Sequence, residues 1–366
     1  MCAAQLSENS QLHVGVIDSN PKVGAKLKIS GGGKCNITNT YVESKHFLGD
    51  SVLISNILEQ FSKKDLLHFL LKRGLKPVIR KERYYFCASS ADEIISLLYK
   101  AASKTQWLLN ETIIKVDKEE HFIVTTNNST YHTKKLVVAT GGISFKTLGA
   151  SDIGVQIAQG FGHKAKSFQP ALVGLTLQPK QFWMKELSGI SFRVAIKVGG
   201  RDIEEDMLFA HRGISGPAIL SASLYWQKGS IEIDFMPHKN IIALAEGSKK
   251  QLSSLISLPK RFTKLFLQSI EVPDLEYARL TKEQQKRLAV LHSYSLAPAG
   301  NFGFTKAEVS KGGVEVDEVN IITLESNLVE GLYLCGEVLD VTGELGGYNF
   351  QWAFSSGTVV ARALLD

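Results

Sequence analysis

The apolar positions of this chain change period as it runs. "LHVGVID" (12–18) is an apolar run closed by an acid, the pattern of a buried strand. Between residues 51 and 72, Leu53, Ile57, Leu58, Phe61, Leu67 and Leu71 recur at helical spacing, with a break near Lys63-Lys64. "ADEIISLLYKAAS" (91–103) predicts another helix. "ETIIKV" (111–116) and "HFIVTT" (121–126), joined by "DKEE", predict a hairpin-like meander. "KLVVAT" (135–140) predicts a strand running into Gly141-Gly142.

From about Phe168 to Phe235 the pattern alternates, as in "FRVAIKVGGRDIEE", with polar turns. Residues 241–292 read as helical, rich in Leu, Lys and Gln, with Pro259 and Pro273 as breaks. After Gly300 strand-and-glycine grammar returns, ending in "EGLYLCGEVLD" and a long helix near 348–364. A βαβ-like frame interrupted by a different middle predicts an α/β fold with an insertion. No internal repeat is present.

At 366 residues the chain exceeds the usual single domain, and 44% hydrophobic with 21% charged content gives it ample core material. A net charge of +6 comes from scattered pairs such as Lys63-Lys64, Lys134-Lys135 and Lys249-Lys250. That dispersal reads as solvated surface and argues against a nucleic-acid partner. Cys2, Cys35, Cys87 and Cys335 lie far apart without a C-x-x-C, matching neither a disulfide framework nor a zinc site. The histidines show no ligand spacing, so no metal is expected. No apolar run nears the ~18 residues of a membrane span, and "MCAAQLSENS" lacks a signal-peptide layout. A cytoplasmic protein is expected.

The chemistry-bearing stretches are glycine-rich. Asp18 closes a strand, as does the acid that holds the ribose hydroxyls in a dinucleotide-binding βαβ unit. That acid follows a G-x-G-x-x-G turn by about 20 residues, a distance that passes upstream of Met1. The expectation is a missing first strand and glycine turn, with "MCAAQLSENSQ" as the back half of the first helix; the alternative is a chain that begins with a frayed helix. In "KISGGGKCNITN" (28–39), Gly31, Gly32 and Gly33 allow backbone N–H groups to approach a pyrophosphate or flavin edge. Alone, the same run reads equally as a flexible loop. Lys34 adds charge, Asn36 and Thr38 add donors, and Cys35 reads as a small packing residue without a nearby resolving thiol.

Two later sites agree. "LVVATGG" ends an apolar strand in small residues, and "LYLCGEVLD" ends another in Gly336, Glu337 and Asp340, whose carboxylates suit sugar or ribitol hydroxyls. Gly346-Gly347 opens the final helix, whose N-terminus carries about half a positive charge. Tyr348 and Trp352 read either as flavin neighbours or as core aromatics. In "HRGISGPAIL", His211 and Arg212 either reach a substrate or form a strand-to-helix turn that docks the insertion. Ser215 is no nucleophile elbow, because G-x-S-x-G is absent.

These stretches carry a resemblance. "NPKVGAKLKISGGGKCNITN", "ATGGISFKTLGASDIG", "HRGISGPAIL", "KGGVEVDEVN" and "LESNLVEGLYLCGEVLDVTGELGGYNFQWAFSSG" resemble the NAD(P)/FAD-dependent oxidoreductases labelled aminoacetone-oxidase-like or bile-acid-reductase-like flavoproteins. The resemblance spans essentially the whole chain. It implies a glutathione-reductase-like FAD domain with a Rossmann-type parallel sheet, lacking its first strand, in two parts, 1–165 and 311–366. It implies an inserted β-barrel-like domain (166–240 and 293–310) and a small helical subdomain (241–292). By resemblance Asp18 binds the adenosine ribose, and Lys26 with Ser30, Gly31, Gly32, Gly33, Lys34, Cys35 and Asn36 lines the pyrophosphate and flavin. Gly141 and Gly142 lie near the nucleotide. Gly336, Glu337 and Asp340, with Gly347, Tyr348, Asn349, Phe350 and Gln351, hold the ribitol and isoalloxazine.

The expected function is hydride transfer between a small organic substrate and flavin N5, in a cleft between the FAD domain and the insertion. A second glycine-rich βαβ unit is absent, so any NAD(P)H binds transiently. Two rivals remain: a flavin-free relic or binding protein left by loss of the glycine turn, and a flavoprotein acting on tRNA.

Overall fold

The computed structural model describes residues 1–8 and 11–366, which fold as two compact units, Met1–Gln169 with Val309–Asp366, and Pro170–Glu308.

The first unit is built on two pairs of parallel strands. Gly15–Asp18 pairs with Gln106–Leu109, and Leu136–Val138 with Leu332–Leu334. Parallel neighbours need crossover connections, and helices supply them. The helical pattern at 51–72 is two helices, Ser51–Gln60 and Lys63–Lys72. Ser62 ends the first run because it caps the second: its hydroxyl accepts from the Asp65 N–H while the Asp65 carboxylate accepts from the Ser62 N–H at 2.8 Å. Leu66, Phe69 and Leu70 then bury the inner face. The expected hairpin is Ile113–Lys118 against Phe122–Thr126, and a third strand, Thr130–Thr133, extends it. The apolar pattern misses that strand because "TYHT" is mostly polar and half-exposed.

The final helix, Tyr348–Ala363, buries eleven of its sixteen residues. A helix covered on most sides has polar groups to satisfy internally. Ser355 Oγ donates to the Phe61 carbonyl at 2.7 Å, Ser356 Oγ to that of Trp352, and Thr358 Oγ1 to that of Phe354. These small residues let the helix sit within the core.

The second unit carries a seven-stranded antiparallel sheet with edges Tyr294–Leu296 and Gly300–Asn301. Its two longest strands are Ser191–Val198 and Arg201–Ala210. Pro217 starts the helix Pro217–Tyr225, where a missing N–H costs nothing. Residues 241–292 form short helices, among them Ile241–Ala245, Lys260–Ser269 and Lys282–Leu288. Phe209, Phe235, Phe262 and Phe266, all fully buried, lie at the centre of this core. Among the described residues no helix is long and apolar enough to cross a membrane, and no His/Cys/Asp/Glu group could hold a metal ion.

In the first unit His163 is buried at 3% exposure. Ser326 Oγ accepts from the Leu328 and Val329 N–H groups, so its O–H donates to His163 Nε2 at 2.7 Å, holding a neutral ring. Burial pushes the His163 pKa down, partly opposed by Glu318. The unfolded chain therefore binds a proton that the folded one refuses. Stability is fully present above the ordinary histidine pKa of about 6.5 and is lost as pH falls below it. Melting temperature is expected to drop by a few degrees between pH 7.5 and 5.5, less steeply in His163→Gln; equal slopes would remove His163 from the account.

Candidate active site

Stretches hundreds of residues apart meet in the first unit. Lys26 Nζ lies 2.6 Å from Glu337 Oε2, joining the helix Ala25–Gly33 to the end of the Leu332–Leu334 strand. Glu337 Oε1 accepts the Ser310 N–H at 2.8 Å. Ser310 Oγ in turn accepts the N–H groups of Ile143 and Ser144 at 3.0 and 3.1 Å. A Cβ on Gly142 would lie 2.8 Å from Ser310 Oγ and 2.9 Å from Glu337 Oε1. Lys26, Gly142 and Glu337 therefore form one network, completed by Ser310. Asp340 lies six residues past the strand's end, its carboxylate 2.7 Å from Lys166 Nζ.

The triple glycine breaks the helix Ala25–Gly33 from within. Ser30 is extended (ψ 149°), and Gly31, Gly32 and Gly33 all have positive φ (56°, 66° and 81°). Three consecutive residues with positive φ are what L side chains resist, which answers why glycine stands there. Ser30 Oγ donates to the Leu27 carbonyl, and Lys34 N–H donates to that of Gly31. The chain then enters the strand Asn36–Asn39, which is stitched to the start of the final helix. Thr38 Oγ1 donates to Gln351 Oε1 at 2.6 Å, and Asn39 Nδ2 to the Gly346 carbonyl at 3.0 Å. The first and last glycine motifs are thus neighbours.

Several candidate side chains are already engaged. Gln351 also donates to Ser355 Oγ, and both amide atoms of Asn349 bond the Gly343 backbone at 2.8 Å. Tyr348 and Trp352 are core aromatics, 0% and 1% exposed, and Phe350 stacks on Phe354. Trp352 Nε1 donates to the Gly336 carbonyl at 3.0 Å, and Ser356 Oγ accepts the Gly336 N–H, tying this helix to the strand end. Cys35 is fully buried, with Cys87 N–H donating to the Lys34 carbonyl beside it. Burial pushes the two thiols up to about 12 and 11, so neither forms a thiolate near neutral pH.

Asp18 ends its strand as an Asx turn, Oδ1 accepting the Asn20 N–H at 2.8 Å and Nδ2 at 3.0 Å. His211 and Arg212 belong to the second unit, exposed in the turn between Arg201–Ala210 and Gly213–Ser215, with the Arg212 guanidinium 5.3 Å from the Phe302 ring centre.

One pair escapes the sequence altogether. His46 Nδ1 lies 3.0 Å from Glu344 Oε2, and its ring stacks on Tyr348 at 4.8 Å. The His46 backbone is fixed as well, its carbonyl accepting the Glu344 N–H at 2.9 Å. His46 Nε2 is buried and makes no hydrogen bond among the described residues. The pair sits where Thr342–Gly343 joins Phe47–Leu48, just ahead of Gly346-Gly347. A carboxylate on one ring nitrogen fixes the tautomer and leaves the other for proton transfer.

A flavin nucleotide fits this arrangement. Gly141 and Gly336 (φ 75° and 76°) follow the carboxyl ends of adjacent parallel strands, and a Cβ on either would meet nothing within 4 Å. Among the described residues Thr140 Oγ1 is buried without a hydrogen-bond partner, but it packs against Gly154, where a Cβ would lie 2.0 Å away. Open space over half-buried glycine backbone, outside the carboxyl ends of parallel strands, is where a nucleotide can lie. Gly347 caps the final helix without a side-chain bond, leaving its first-turn N–H groups to a ligand.

The chain is similar to known proteins along its whole length. The family profile described as HI0933-like protein Rossmann domain matches residues 1–363. A ribosomal RNA dihydrouridine synthase of Haemophilus influenzae is 36% identical over 381 residues, covering 99% of this chain and 95% of that protein. A 3-dehydro-bile acid delta(4,6)-reductase of Clostridium scindens is 26% identical over 390 residues, covering 99% and 95%. Escherichia coli quinol fumarate reductase FrdA superposes with a TM-score of 0.50 at 11% identity, over 99% of this chain and 67% of that one, a likeness of fold.

Proposed function

The chain belongs to the HI0933-like Rossmann-domain family and is an FAD-dependent oxidoreductase; we propose that it reduces a carbon–carbon double bond conjugated to a carbonyl, and that its substrate is a uracil base of ribosomal RNA. The observation that carries this reading is the 36% identity, over 99% of the chain, to a ribosomal RNA dihydrouridine synthase. The names of that relative and of the bile-acid reductase both describe saturation of a double bond conjugated to a carbonyl. Dispersed charge argues against RNA on composition, and full-length similarity to an RNA-acting relative outweighs it.

Bound and reduced, FAD supplies a hydride to the carbon remote from the carbonyl. The residues of the chain do the rest. Asp18 holds the adenosine ribose. Lys26 and the Ser30–Asn36 loop face the pyrophosphate, with Lys26 set in place by Glu337. Backbone at Gly141, Gly142 and Gly336 approaches the nucleotide without a Cβ in the way, and the Gly347 end of the final helix favours negative charge on the flavin. Hydride addition leaves negative charge on the carbonyl side, and a proton must reach the adjacent carbon. His46, held by Glu344, is the proton donor.

The test is to incubate FAD-loaded protein with NADPH and in vitro transcripts of the large ribosomal RNAs, then digest and weigh the nucleosides. A uridine that has gained two hydrogens is expected. Turnover of a conjugated steroid dienone with no change in RNA would overturn the RNA substrate and retain the reductase.

A further inference from the structure

The charge that looks dispersed along the sequence is not evenly shared. Residues 241–292 hold nine Lys and Arg against five Asp and Glu, a net of +4 out of the chain's +6. Within them, 249–264 holds five cations and no carboxylate. Resting on the RNA reading above, we propose that this face of the second unit is a docking surface for the phosphate backbone of RNA.

Three observations carry it. First, the cations are unneutralised. Arg279 pairs with Glu276, and Arg287 with Glu271 and Glu283, while Asp274 accepts the Ser253 N–H. Lys249, Lys250, Lys260, Arg261 and Lys264 are exposed, and among the described residues none reaches a carboxylate.

Second, three of them occupy an electrostatically unfavourable place. The helix Lys260–Ser269 buries Phe262, Phe266 and Leu267, so Lys260, Arg261 and Lys264, spaced three and four residues apart, share the solvent face. Its first turn carries Lys260 and Arg261 and no acid. Cations at a helix N-terminus oppose the helix dipole, a placement that costs stability in the free protein. An anionic partner turns the same placement into attraction, because dipole and side chains then act together.

Third, the element packed against the buried face of that helix carries an exposed aromatic. The 3-10 helix Pro179–Leu187 packs on the Lys260–Ser269 helix through Trp183, whose ring lies 6.0 and 6.2 Å from those of Phe262 and Phe266. The same short helix leaves Phe182 43% exposed, with Lys185 Nζ 3.3 Å from its ring centre. Cations that track a backbone, joined by an aromatic on which an unpaired base can stack, make up a sequence-tolerant RNA surface.

The experiment measures binding of the FAD-loaded protein to fluorescent ribosomal RNA transcripts across a KCl series. Each phosphate contact contributes about 0.7 to 0.9 to the slope of log affinity against log salt. The triple variant Lys260→Gln, Arg261→Gln, Lys264→Gln is expected to bind about tenfold more weakly near 0.15 M salt, with the slope reduced by about 2 to 3. Phe182→Ala is expected to weaken binding with the slope and the melting temperature both unchanged, whereas the reduced slope of the triple variant is what a folding defect would not imitate. An unchanged slope in the triple variant, with the parent binding RNA, would overturn this surface and leave the proposed substrate standing. A parent that binds no RNA would remove both. Tighter binding to anionic phosphatidylserine vesicles than to RNA would assign the patch to a membrane and overturn it.

Discussion

Replacing His46 with asparagine is expected to slow substrate reduction by about a hundredfold or more while leaving FAD bound. General acid catalysis by a positioned side chain is worth roughly 10² to 10⁴ in rate. Asparagine places an amide near the position of Nδ1, so the bond to Glu344 can persist, and removes Nε2, the buried nitrogen that makes no hydrogen bond among the described residues. The measurement is single-turnover: flavin is reduced chemically, substrate is added anaerobically, and the return of the oxidised absorption band is timed. Loss confined to this step, with the spectrum and affinity of bound FAD intact, is the expected result. A rate within threefold of the parent would show that the proton comes from elsewhere.

Glu344 serves as a positioning residue in this scheme, and its replacement reads out differently. Glu344→Gln keeps a hydrogen-bond partner within reach of His46 Nδ1 but no longer fixes the ring's tautomer, because an amide can donate as well as accept. The Nε2 of His46 is untouched, so the single-turnover rate is expected to fall less than in His46→Asn, with FAD affinity unchanged. A merely structural role for Glu344 predicts loss of FAD binding along with the rate.

The parts of this site that were legible in the sequence are those whose physics is local. Gly31 and Gly32 declare a left-handed loop wherever they stand, and a strand ending in Asp18 or Gly336 looks the same in isolation as in the fold. The break at Ser62 was readable to within two residues because a capping box lies within four positions of chain. Interactions between distant residues left no such mark. His46 and Glu344 are 298 residues apart, and neither has a neighbour that signals a dyad. Lys26 and Glu337, 311 apart, were reached through their motifs and not as a pair. Tyr348 and Trp352 were ambiguous for another reason: an aromatic at a helix start has the same spacing whether it faces a ligand or the core, and only their burial decides. Charge behaved likewise, since counting over the whole chain hides a cluster that one short helix gathers on one face.

The sharpest test of the cofactor cradle compares two glycines that the sequence cannot tell apart. Gly347 has φ 94°, and a Cβ there would lie 2.7 Å from the carbonyl carbon and oxygen of Thr38. Those are backbone atoms of a fully buried residue whose hydroxyl is held by Gln351 at 2.6 Å, so nothing can rotate away. Left-handed backbone costs a non-glycine residue about 1 to 2 kcal/mol. With the overlap added, Gly347→Ala is expected to cost about 3 kcal/mol, some 6 to 12 °C of melting temperature for a unit of this size. Gly336 has φ 76° but open space where its Cβ would go. Gly336→Ala therefore carries only the conformational term, about 2 to 8 °C. If that open space is where FAD lies, however, its methyl group meets the cofactor, and FAD affinity is expected to fall at least tenfold. Melting curves and FAD titrations of the two variants separate the cases. FAD affinity within twofold of the parent in Gly336→Ala would place the cofactor elsewhere. Stability within a degree of the parent in Gly347→Ala would mean that the contact with Thr38 does not set the start of the final helix.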